Sequence, residues 1–475
     1  MDKMNKTGGE GAPDSSSQSR QSTLSISVLM AFALPSFVGS LMQGPTGGIL
    51  TGIYAKHFGL SLSLIATVML VCRLFDAFTD PLIGYLSDRT RSRFGRRKPW
   101  IVAGTALTIP AVYLLYAPPE GIGGTYFLVF YSLAFLAWTM TEIPTTAWFT
   151  ELTGDYTDRA RIVTYRTVVA LIGALAFLAV PQLPIFETTE MTPEVLRFVA
   201  ICVAFLLPVA VAIAVFKVPN GAVVGSAEPT SMRDLWASLK VNRPFQIFCL
   251  VFAVGGMAGG MNGALFFLYM DTHLLLGDKI SLLLLPGVLL TLLAMPLWLA
   301  IIKKYGKQRA WATGAAISAV IGPLIVLLDP GPDALIPVLI LSSFATLAGG
   351  AVAVAPAAML ADVIDYDILK SGSSRAGSFF AVFTLLAKAN VALGGALAFI
   401  IIDLFGYDAT SKVHSSTEVF GMNLAYVFIP TLLFLPAIWL IWHFPIDERR
   451  QSIIRRRIES LAERAARREA DSETP

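Results

Sequence analysis

The sequence predicts an all-α polytopic membrane protein with twelve transmembrane helices in two six-helix halves. The chain has 475 residues, of which 55% are hydrophobic and 15% charged. Soluble domains average about 45–50% apolar and about 25% charged residues. Because bilayer hydrocarbon is about 30 Å thick, apolar runs of about 20 residues predict spanning helices. Such runs occur at 26–54, 61–87, 99–117, 124–150, 163–185 and 194–216, and again at 244–272, 279–302, 310–328, 334–361, 376–404 and 419–443.

Polar segments flank and separate the two halves. Residues 1–22 are rich in Ser and Gly and predict a disordered cytoplasmic tail. Residues 218–242 predict a central cytoplasmic loop between an N-terminal bundle (23–217) and a C-terminal bundle (243–444). The tail at 445–475 is rich in arginine and predicts a cytoplasmic amphipathic helix. The first apolar run starts too late and continues too long for a cleavable signal peptide.

The positions of lysine and arginine orient the bundle. They concentrate in the even-numbered connections, above all Arg89 to Lys98, whereas the odd-numbered connections carry at most one each: Lys56, Arg197, Lys279 and Lys412. The positive-inside rule then places both termini and the central loop in the cytoplasm. Three cysteines and four histidines are widely scattered. Disulfides and metal centres other than a possible Na⁺ site are therefore not expected. No nucleic-acid partner and no cofactor are predicted.

Two aspartates and an arginine lie inside the second apolar run. Asp76 and Asp80 are four residues apart, so they share one helix face, and Arg73 lies on the same side. Ionisable side chains inside a membrane mark a functional site by default. Two such acids repel each other unless a positive charge lies between them. A sodium ion, a proton or a fixed lysine or arginine could supply that charge, and the sequence leaves the choice open.

The two halves repeat each other. The segment Phe94-Gly95-Arg96-Arg97-Lys98-Pro99-Trp100 is similar to Tyr305-Gly306-Lys307-Gln308-Arg309-Ala310-Trp311. The fourth run ends in Glu151 to Tyr156 and the tenth in Asp362 to Tyr366. Matching positions in two six-helix halves predict a parallel repeat, with the substrate site near the midplane between the halves.

A longer set of motifs resembles a known family. Asp76-x-x-x-Asp80-Pro81-x-x-Gly84, followed by Asp88-Arg89 and by Thr90 to Trp100, resembles the glycoside–pentoside–hexuronide:cation symporter family of the major facilitator superfamily. The resemblance covers nearly the whole chain. It implies a major facilitator fold in a plasma membrane, the inner membrane in bacteria. It also implies symport of a sugar or glycoside with Na⁺ or H⁺ by alternating access. The partners that it implies for this protein are a small polar solute, the coupling cation and membrane lipids, and no catalytic residues are expected.

The same resemblance assigns the coupling-ion site. It implies a cation held by side chains of the second and fourth helices, Asp76, Thr79, Asp80 and Thr139. Sodium prefers hard oxygen ligands, which carboxylates and hydroxyls supply. Lys388 lies within the eleventh run with no acid nearby in sequence, so it must pair or lose its proton. The resemblance places it against those acids, in a coupling role with Arg73. The alternative is that Arg73 and Lys388 neutralise both aspartates permanently as a structural network.

The substrate residues follow less directly. Glu142 matches the sugar-binding acid of the fourth helix, and Arg166 matches an arginine of the fifth helix with a sugar or gate role. The first-helix acid of the family is replaced by Ser40, with Gln43 one turn on. Its fourth-helix aromatic position is Thr146, with Trp148 close by. The expected substrate set is therefore Glu142, Arg166, Gln43, Ser40 and Trp148.

Charged residues at the cytoplasmic ends of the helices predict a gate. Ion pairs among them would latch the outward-open state and bias alternating access. The predicted gate residues are Asp88, Arg96, Arg97, Glu151, Asp155, Asp362 and Asp365. The alternative is that these charges only set the topology.

Other functions remain open at this point. A cation-coupled carrier of a lipid-like or amphipathic solute is compatible with the missing first-helix acid. A polytopic membrane enzyme would need a nucleophile–base pair or a metal triad near a membrane face, and the sequence offers neither.

Overall fold

The protein is a bundle of long helices in the computed structural model. The structure describes residues 24–46, 48–153, 156–221, 242–371, 376–411 and 413–473. The predicted tail at 1–22, the loop from 222 to 241 and the gate residue Asp155 lie outside these ranges. The helical architecture confirms the predicted all-α fold class.

Seven helices of the first half fall within the described residues. They are α1 (Ile26–Gln43), α2 (Ile49–Phe58), α3 (Leu62–Arg89), α4 (Lys98–Tyr116), α5 (Gly124–Leu152), α6 (Tyr156–Ala179) and α7 (Pro193–Lys217). The second half contains α8 (Arg243–Leu268), α9 (Ile280–Tyr305), α10 (Lys307–Ile325), α11 (Leu335–Ser371), α12 (Ala376–Leu404), α13 (Ser416–Asn423), α14 (Ile429–Trp442) and the terminal α15 (Glu448–Glu473).

Eleven of the described helical segments are long and apolar enough to span a membrane, and a bent pair brings the number to twelve. The bent pair is Gly277–Thr291 and Leu293–Tyr305, which meet at 44°. Pro296 lies inside α9. A proline ring clashes with the carbonyl four residues earlier, and counting four residues back from Pro296 leads to the bend between Thr291 and Leu293.

The first predicted run is broken rather than continuous. α1 ends at Gln43, a 3₁₀ turn follows at Gly44–Thr46, and α2 begins at Ile49. Gly48 caps the N-terminus of α2 with φ of +104°, a conformation that favours glycine. A Cβ there would lie 2.2 Å from the carbonyl oxygen of Gly263 on α8. The break therefore lets the backbone of the first half approach the second half closely.

Two helices extend further than predicted. α6 begins at Tyr156 rather than near residue 163, and α11 continues to Ser371 rather than ending near residue 361. The added turns carry charged residues that find partners: Asp158 pairs with Arg161 at 2.9 Å. A prediction from hydropathy ends the helix at the first charged residues, whereas the backbone stays helical where those charges have partners.

Among the described residues, the most extensive contacts between the halves join three helix pairs. α3 packs against α12, α6 against α9, and α2 against α8. These contacts position α3, which carries the two aspartates, directly at the interface between the halves.

The repeat predicted from sequence is visible as a repeated contact. Arg96 lies 2.9 Å from Glu151 in the first half, and Lys307 lies 2.6 Å from Asp362 in the second. Each basic residue follows a glycine of positive φ, and the sequence similarity aligns the two segments. The same local sequence thus forms the same ion pair twice.

Candidate cation and substrate site

Asp76 lies on the buried side of α3. Its side chain is 4% exposed, whereas Leu74 on the same helix is 75% exposed. Arg73 donates a hydrogen bond of 3.0 Å from Nη1 to Asp76 Oδ2, and its guanidinium lies 4.8 Å from the Phe135 ring centroid. The carboxylate therefore faces the protein interior with a fixed positive neighbour.

Asp80, one turn along α3, has partners on two other helices. Thr139 of α5 donates a hydrogen bond of 3.0 Å to Asp80 Oδ1. Lys388 of α12 forms an ion pair with Asp80 Oδ2. Thr139 and Asp80 belong to the first half and Lys388 to the second. The Lys388–Asp80 pair therefore joins the two halves inside the bundle.

Two buried oxygens near this pair have no hydrogen-bond partner among the described residues. They are Asp76 Oδ1 and Thr79 Oγ1, one turn apart on α3. An unsatisfied buried oxygen costs about 1–3 kcal/mol, so such groups call for an explanation. A carboxylate oxygen and a hydroxyl are the ligands that a hard cation prefers. No cluster of three or more His, Cys, Asp or Glu side chains suited to a transition metal occurs in the described residues.

The sequence left two interpretations of Asp76 and Asp80 open, a mobile-cation site and a permanent ion-pair network, and the structure has features of each. Arg73 and Lys388 each neutralise one aspartate, as the structural-network interpretation requires. The two unsatisfied oxygens are the part of the cluster that this network leaves without a partner among the described residues. The two interpretations are compatible if Lys388 and the cation exchange places at Asp80.

A cavity of about 310 Å³ lies among α1, α4, α5, α6 and α7. Glu142 and Arg166 line it and form an ion pair, with Arg166 Nη2 3.0 Å from Glu142 Oε1 and 3.3 Å from Oε2. Arg166 Nε also donates to Ser36 Oγ at 3.3 Å. Thr146 hydroxyl lies 3.4 Å from Glu142 Oε1. We call this space the polar cavity.

Two further predicted substrate residues, Ser40 and Gln43, also line the polar cavity. Trp148 does not. Its indole is buried, donates to the Pro219 carbonyl at 3.0 Å and packs against Phe32 at 5.4 Å. Trp148 is thus a packing residue near the C-terminal end of α5 in this structure.

An aromatic residue that sequence reasoning passed over lines the polar cavity instead. Trp138 lies one turn before Glu142 on α5, so both side chains share a helix face. A Cβ on Gly39 would be 3.2 Å from the Trp138 ring, so glycine there makes room for the indole. The spacing of four residues between Trp138 and Glu142 could have indicated that both side chains face the same cavity.

The polar cavity is lined from the first half alone. The repeat had predicted a substrate site between the halves. Thr139 and Glu142 lie one turn apart on α5, so a single helix carries a partner of Asp80 and a wall of the polar cavity.

The predicted cytoplasmic gate residues pair within each half. Arg97 Nη2 lies 2.5 Å from Asp88 and 2.8 Å from Glu151, which Arg96 also contacts. The Asp362 carboxylate pairs with Lys307 on its own half, and Asp365 is half-buried. Within the described ranges, none of these ion pairs crosses between the halves.

Polar contacts between the halves occur at the opposite end. Lys56 of the first half lies 2.7 Å from Asp271 of the second, and both side chains are largely buried. Thr189 donates to the Asp278 carbonyl at 2.8 Å. A Cβ on Gly277 would lie 1.9 Å from Asp271 Oδ1, so glycine is required beside this carboxylate. Sequence reasoning missed this contact, although it named Lys56 among the four single basic residues of the odd-numbered connections.

Comparison with known proteins agrees with this architecture. Residues 23–448 match the sequence profile described as "MFS/sugar transport protein". The chain belongs to this family. The predicted major facilitator fold and the resemblance to the glycoside–pentoside–hexuronide:cation symporters are thereby confirmed. A solved structure of the nucleoside transporter NupG superposes with a TM-score of 0.67 at 12% identity, covering 88% of this chain and all (100%) of that one.

Three curated relatives cover most of the chain. The "Glucuronide carrier protein homolog" of Escherichia coli is 26% identical over 84% of this chain and 88% of its own. The "Isoprimeverose transporter" of Lactiplantibacillus pentosus is 25% identical over 87% of each. The "Sodium-dependent lysophosphatidylcholine symporter 1" of Mus musculus is 24% identical over 90% of this chain and 86% of its own. The protein is therefore an integral membrane transporter of the symporter type.

Proposed function

We propose that the protein is a secondary active symporter that couples uptake of a glycoside to the entry of Na⁺, with H⁺ as the alternative coupling ion. The observation that carries this proposal is the group on α3: two buried oxygens with no hydrogen-bond partner in the part of the chain that the structure describes, beside an aspartate held by a lysine from the other half. The names of two relatives, a glucuronide carrier homologue and an isoprimeverose transporter, support a sugar-containing solute.

The proposed cation step is an exchange at Asp80. The cation binds between Asp76 Oδ1, Thr79 Oγ1 and the Asp80 carboxylate, where it replaces the charge of Lys388. The lysine then leaves Asp80, which removes the ion pair that joins the halves at this level. Thr139 remains hydrogen-bonded to Asp80 and keeps the carboxylate oriented. Binding of the cation thus weakens one contact between the halves.

The solute binds in the polar cavity. A carboxylate accepts hydrogen bonds from two sugar hydroxyls, and a guanidinium donates to ring or hydroxyl oxygens. Glu142 and Arg166, which now pair with each other, turn to these groups when the sugar enters. Because Thr139 and Glu142 are one turn apart on α5, the state of Asp80 influences the position of Glu142. A coupling free energy of about 1–3 kcal/mol between two sites gives clear mutual dependence.

Alternating access then follows from contacts that differ between the two ends. The Lys56–Asp271 and Thr189–Asp278 contacts hold the halves together at the end assigned to the outside. The cytoplasmic charges pair within their own halves in the described ranges. We assign this arrangement to a state closed to the outside. In the opposite state the cytoplasmic charges form the predicted latch across the halves.

A second candidate solute is an amphipathic lipid. The sodium-dependent lysophosphatidylcholine symporter matches over 90% of this chain, and apolar side chains such as Phe32, Met42 and Leu207 line part of the polar cavity. The Glu142–Arg166 pair would then hold a zwitterionic headgroup.

Uptake into proteoliposomes tests both candidates. A panel of glycosides and lysophosphatidylcholine is offered under an imposed Na⁺ gradient and then under an imposed H⁺ gradient. We expect accumulation of a glycoside that requires the Na⁺ gradient. Accumulation of the lipid alone supports the second candidate, and uptake insensitive to both gradients rejects cation coupling.

A further inference from the structure

A groove of about 480 Å³ lies on the surface of the second half, between α10, α11 and α14. All of its described lining residues belong to the second half, and none of them lines the polar cavity. Apart from Thr313 and its hydroxyl, these lining residues are apolar, with Ala316 among the small ones. Val320, Phe344 and Trp442 are exposed, so the groove is open to the bilayer. We call it the α10–α14 groove.

The groove follows one face of α10. Its α10 residues run from Ala312 to Leu324 at intervals of three or four, which is the spacing of a single helix face. A rise of about 1.5 Å per residue makes this face about 18 Å long. One leaflet supplies about 15 Å of a hydrocarbon core that is about 30 Å thick. The groove therefore has the length of an acyl chain within one leaflet.

One end of the groove lies where the helices leave the membrane. Trp442 is the last residue of α14, and the exposed His443 follows it. Ala312 lies in the second turn of α10, which begins at Lys307. Tryptophan is enriched where the hydrocarbon meets water. By the positive-inside assignment, this end of the groove lies at the cytoplasmic interface.

An arginine stands at this end. Arg309 is exposed, and within the described ranges it has no hydrogen bond and no ion pair. Thr313, four residues further along α10, lines the groove, so Arg309 lies on the same helix face one turn nearer to the cytoplasm. A positive charge thus stands at the polar end of an apolar groove.

The internal repeat shows that the fold does not use this charge. Lys98 occupies the position of Arg309 in the similar segment of the first half. Its Nζ donates to the carbonyls of Val215 and Val218 at 2.7 and 2.8 Å, at the end of α7. In the second half Gln308 donates to the carbonyl that follows α14 at the corresponding place. Arg309 therefore has no structural contact of this kind among the described residues.

The C-terminal tail beside Arg309 does not cancel its charge. The bond from Gln308 to the Ile446 carbonyl brings the start of the tail against the first turn of α10. Residues 447–450 hold two acids and two arginines, so they are neutral together. The end of the groove keeps the positive charge of Arg309, which favours a ligand with an anionic headgroup.

From these observations we infer that the α10–α14 groove binds one anionic glycerophospholipid of the cytoplasmic leaflet, with an acyl chain along α10 and the phosphate at Arg309. A guanidinium matches the geometry of phosphate oxygens and holds them by paired hydrogen bonds. The groove opens to the bilayer and shares no lining residue with the polar cavity, so this lipid is a bound component rather than a transported solute. The inference is independent of the solute and of the coupling ion.

Native mass spectrometry of the delipidated protein tests the site. The protein is titrated with phosphatidylglycerol or with phosphatidylcholine of identical acyl chains, and the dissociation constant of the first bound lipid is measured for each. We expect phosphatidylglycerol to bind at least about fivefold more tightly, since this is the effect of one basic side chain beside anionic lipid. Equal affinities of the wild type for the two lipids would overturn the anionic assignment.

Two substitutions separate the headgroup from the chain. Arg309→Gln should remove the preference for phosphatidylglycerol and leave the affinity for phosphatidylcholine unchanged. Ala316→Leu fills the groove, so it should weaken the binding of both lipids and keep the preference. Arg91→Gln is the matched control, because Arg91 is an exposed arginine that follows α3 in the first half and also lacks a partner within the described ranges. It should bind both lipids as the wild type does.

The variants can reject the site without touching the proposed function. An equal loss of phosphatidylglycerol affinity in Arg309→Gln and Arg91→Gln would assign the preference to general surface charge. Unchanged affinities for both lipids in Ala316→Leu would show that no acyl chain lies in the groove. Thermal unfolding identifies a variant that fails to fold, and Thr313→Leu, at an exposed lining position, then replaces Ala316→Leu. A protein that accumulates its solute but shows no lipid preference loses this site and keeps the proposed function.

Discussion

Removal of the positive charge of Lys388 should raise the affinity of the protein for its coupling cation. Lys388 and Asp80 form an ion pair across the halves, so in the proposed exchange the lysine competes with the cation for the same carboxylate. Lys388→Met leaves Asp80 with Thr139 as its partner and adds one net negative charge to the cluster. The variant should therefore bind Na⁺ more tightly but return more slowly without it, because the empty site then carries an uncompensated charge.

The size of the effect follows from the exposure of the pair. Two unit charges 4 Å apart attract by about 4 kcal/mol at an effective dielectric constant of about 20. The Lys388 side chain is 38% exposed and that of Asp80 21%, so the pair is partly solvated. Solvent screening then reduces the attraction to about 1–2 kcal/mol. Since 1.4 kcal/mol is a factor of ten, the dissociation constant for Na⁺ should fall about 5–30-fold.

Equilibrium binding of radioactive sodium to the purified protein measures this change. Lys388→Arg keeps the charge and should bind Na⁺ with nearly the affinity of the wild type. Lys303→Met is the matched control, because it removes an exposed lysine at the end of α9. An unchanged sodium affinity in Lys388→Met, or an equal increase in the Lys303 control, would refute the competition between lysine and cation.

Three further predictions concern other contacts. Lys56→Ala should destabilise the state that is closed at the outer end by about 1–3 kcal/mol, because it leaves the buried Asp271 carboxylate without its partner. An engineered cysteine in the polar cavity should then be labelled faster from outside. Equal labelling rates in the variant and the wild type would show that this ion pair does not hold the outer end closed. Glu142→Gln should raise the substrate KM at least about tenfold, because it leaves Arg166 without its ion-pair partner. Sodium binding should change little in this variant, and an equal loss of substrate binding and sodium binding would point to misfolding. Gly48→Ala should lower the thermal midpoint, since φ is +104° and a Cβ would lie 2.2 Å from a carbonyl of α8, and an unchanged midpoint would show that the close approach is not required.

Local features of the site could be predicted from the sequence because they lie within one helix. The spacing of Asp76 and Asp80 alone indicates a shared face, and Asp76 is indeed buried. Thr139 and Lys388 needed the family resemblance. Helix periodicity does not report which residues of different helices meet, and Lys388 is 308 residues from Asp80.

The features that sequence missed depend on tertiary packing. Trp148 and Trp138 are both near Glu142 in sequence, and only the packing of α5 decides that Trp138 lines the cavity. The Lys56–Asp271 pair forms because the break after α1 brings α2 against α8. Long-range contacts of this kind have no local signature, since the sequence around Lys56 or Asp271 does not indicate which distant residue it meets.

Concentrative uptake by Asp80→Cys protein tests the central claim most directly, namely that the paired aspartates hold the coupling cation. The protein is reconstituted with an inward Na⁺ gradient, and the ratio of internal to external glycoside is measured at steady state. Asp333→Cys, at an exposed turn, serves as the control. We predict accumulation in the wild type and in the control, and equilibration without accumulation in Asp80→Cys. Accumulation by Asp80→Cys to the level of the wild type would contradict the account.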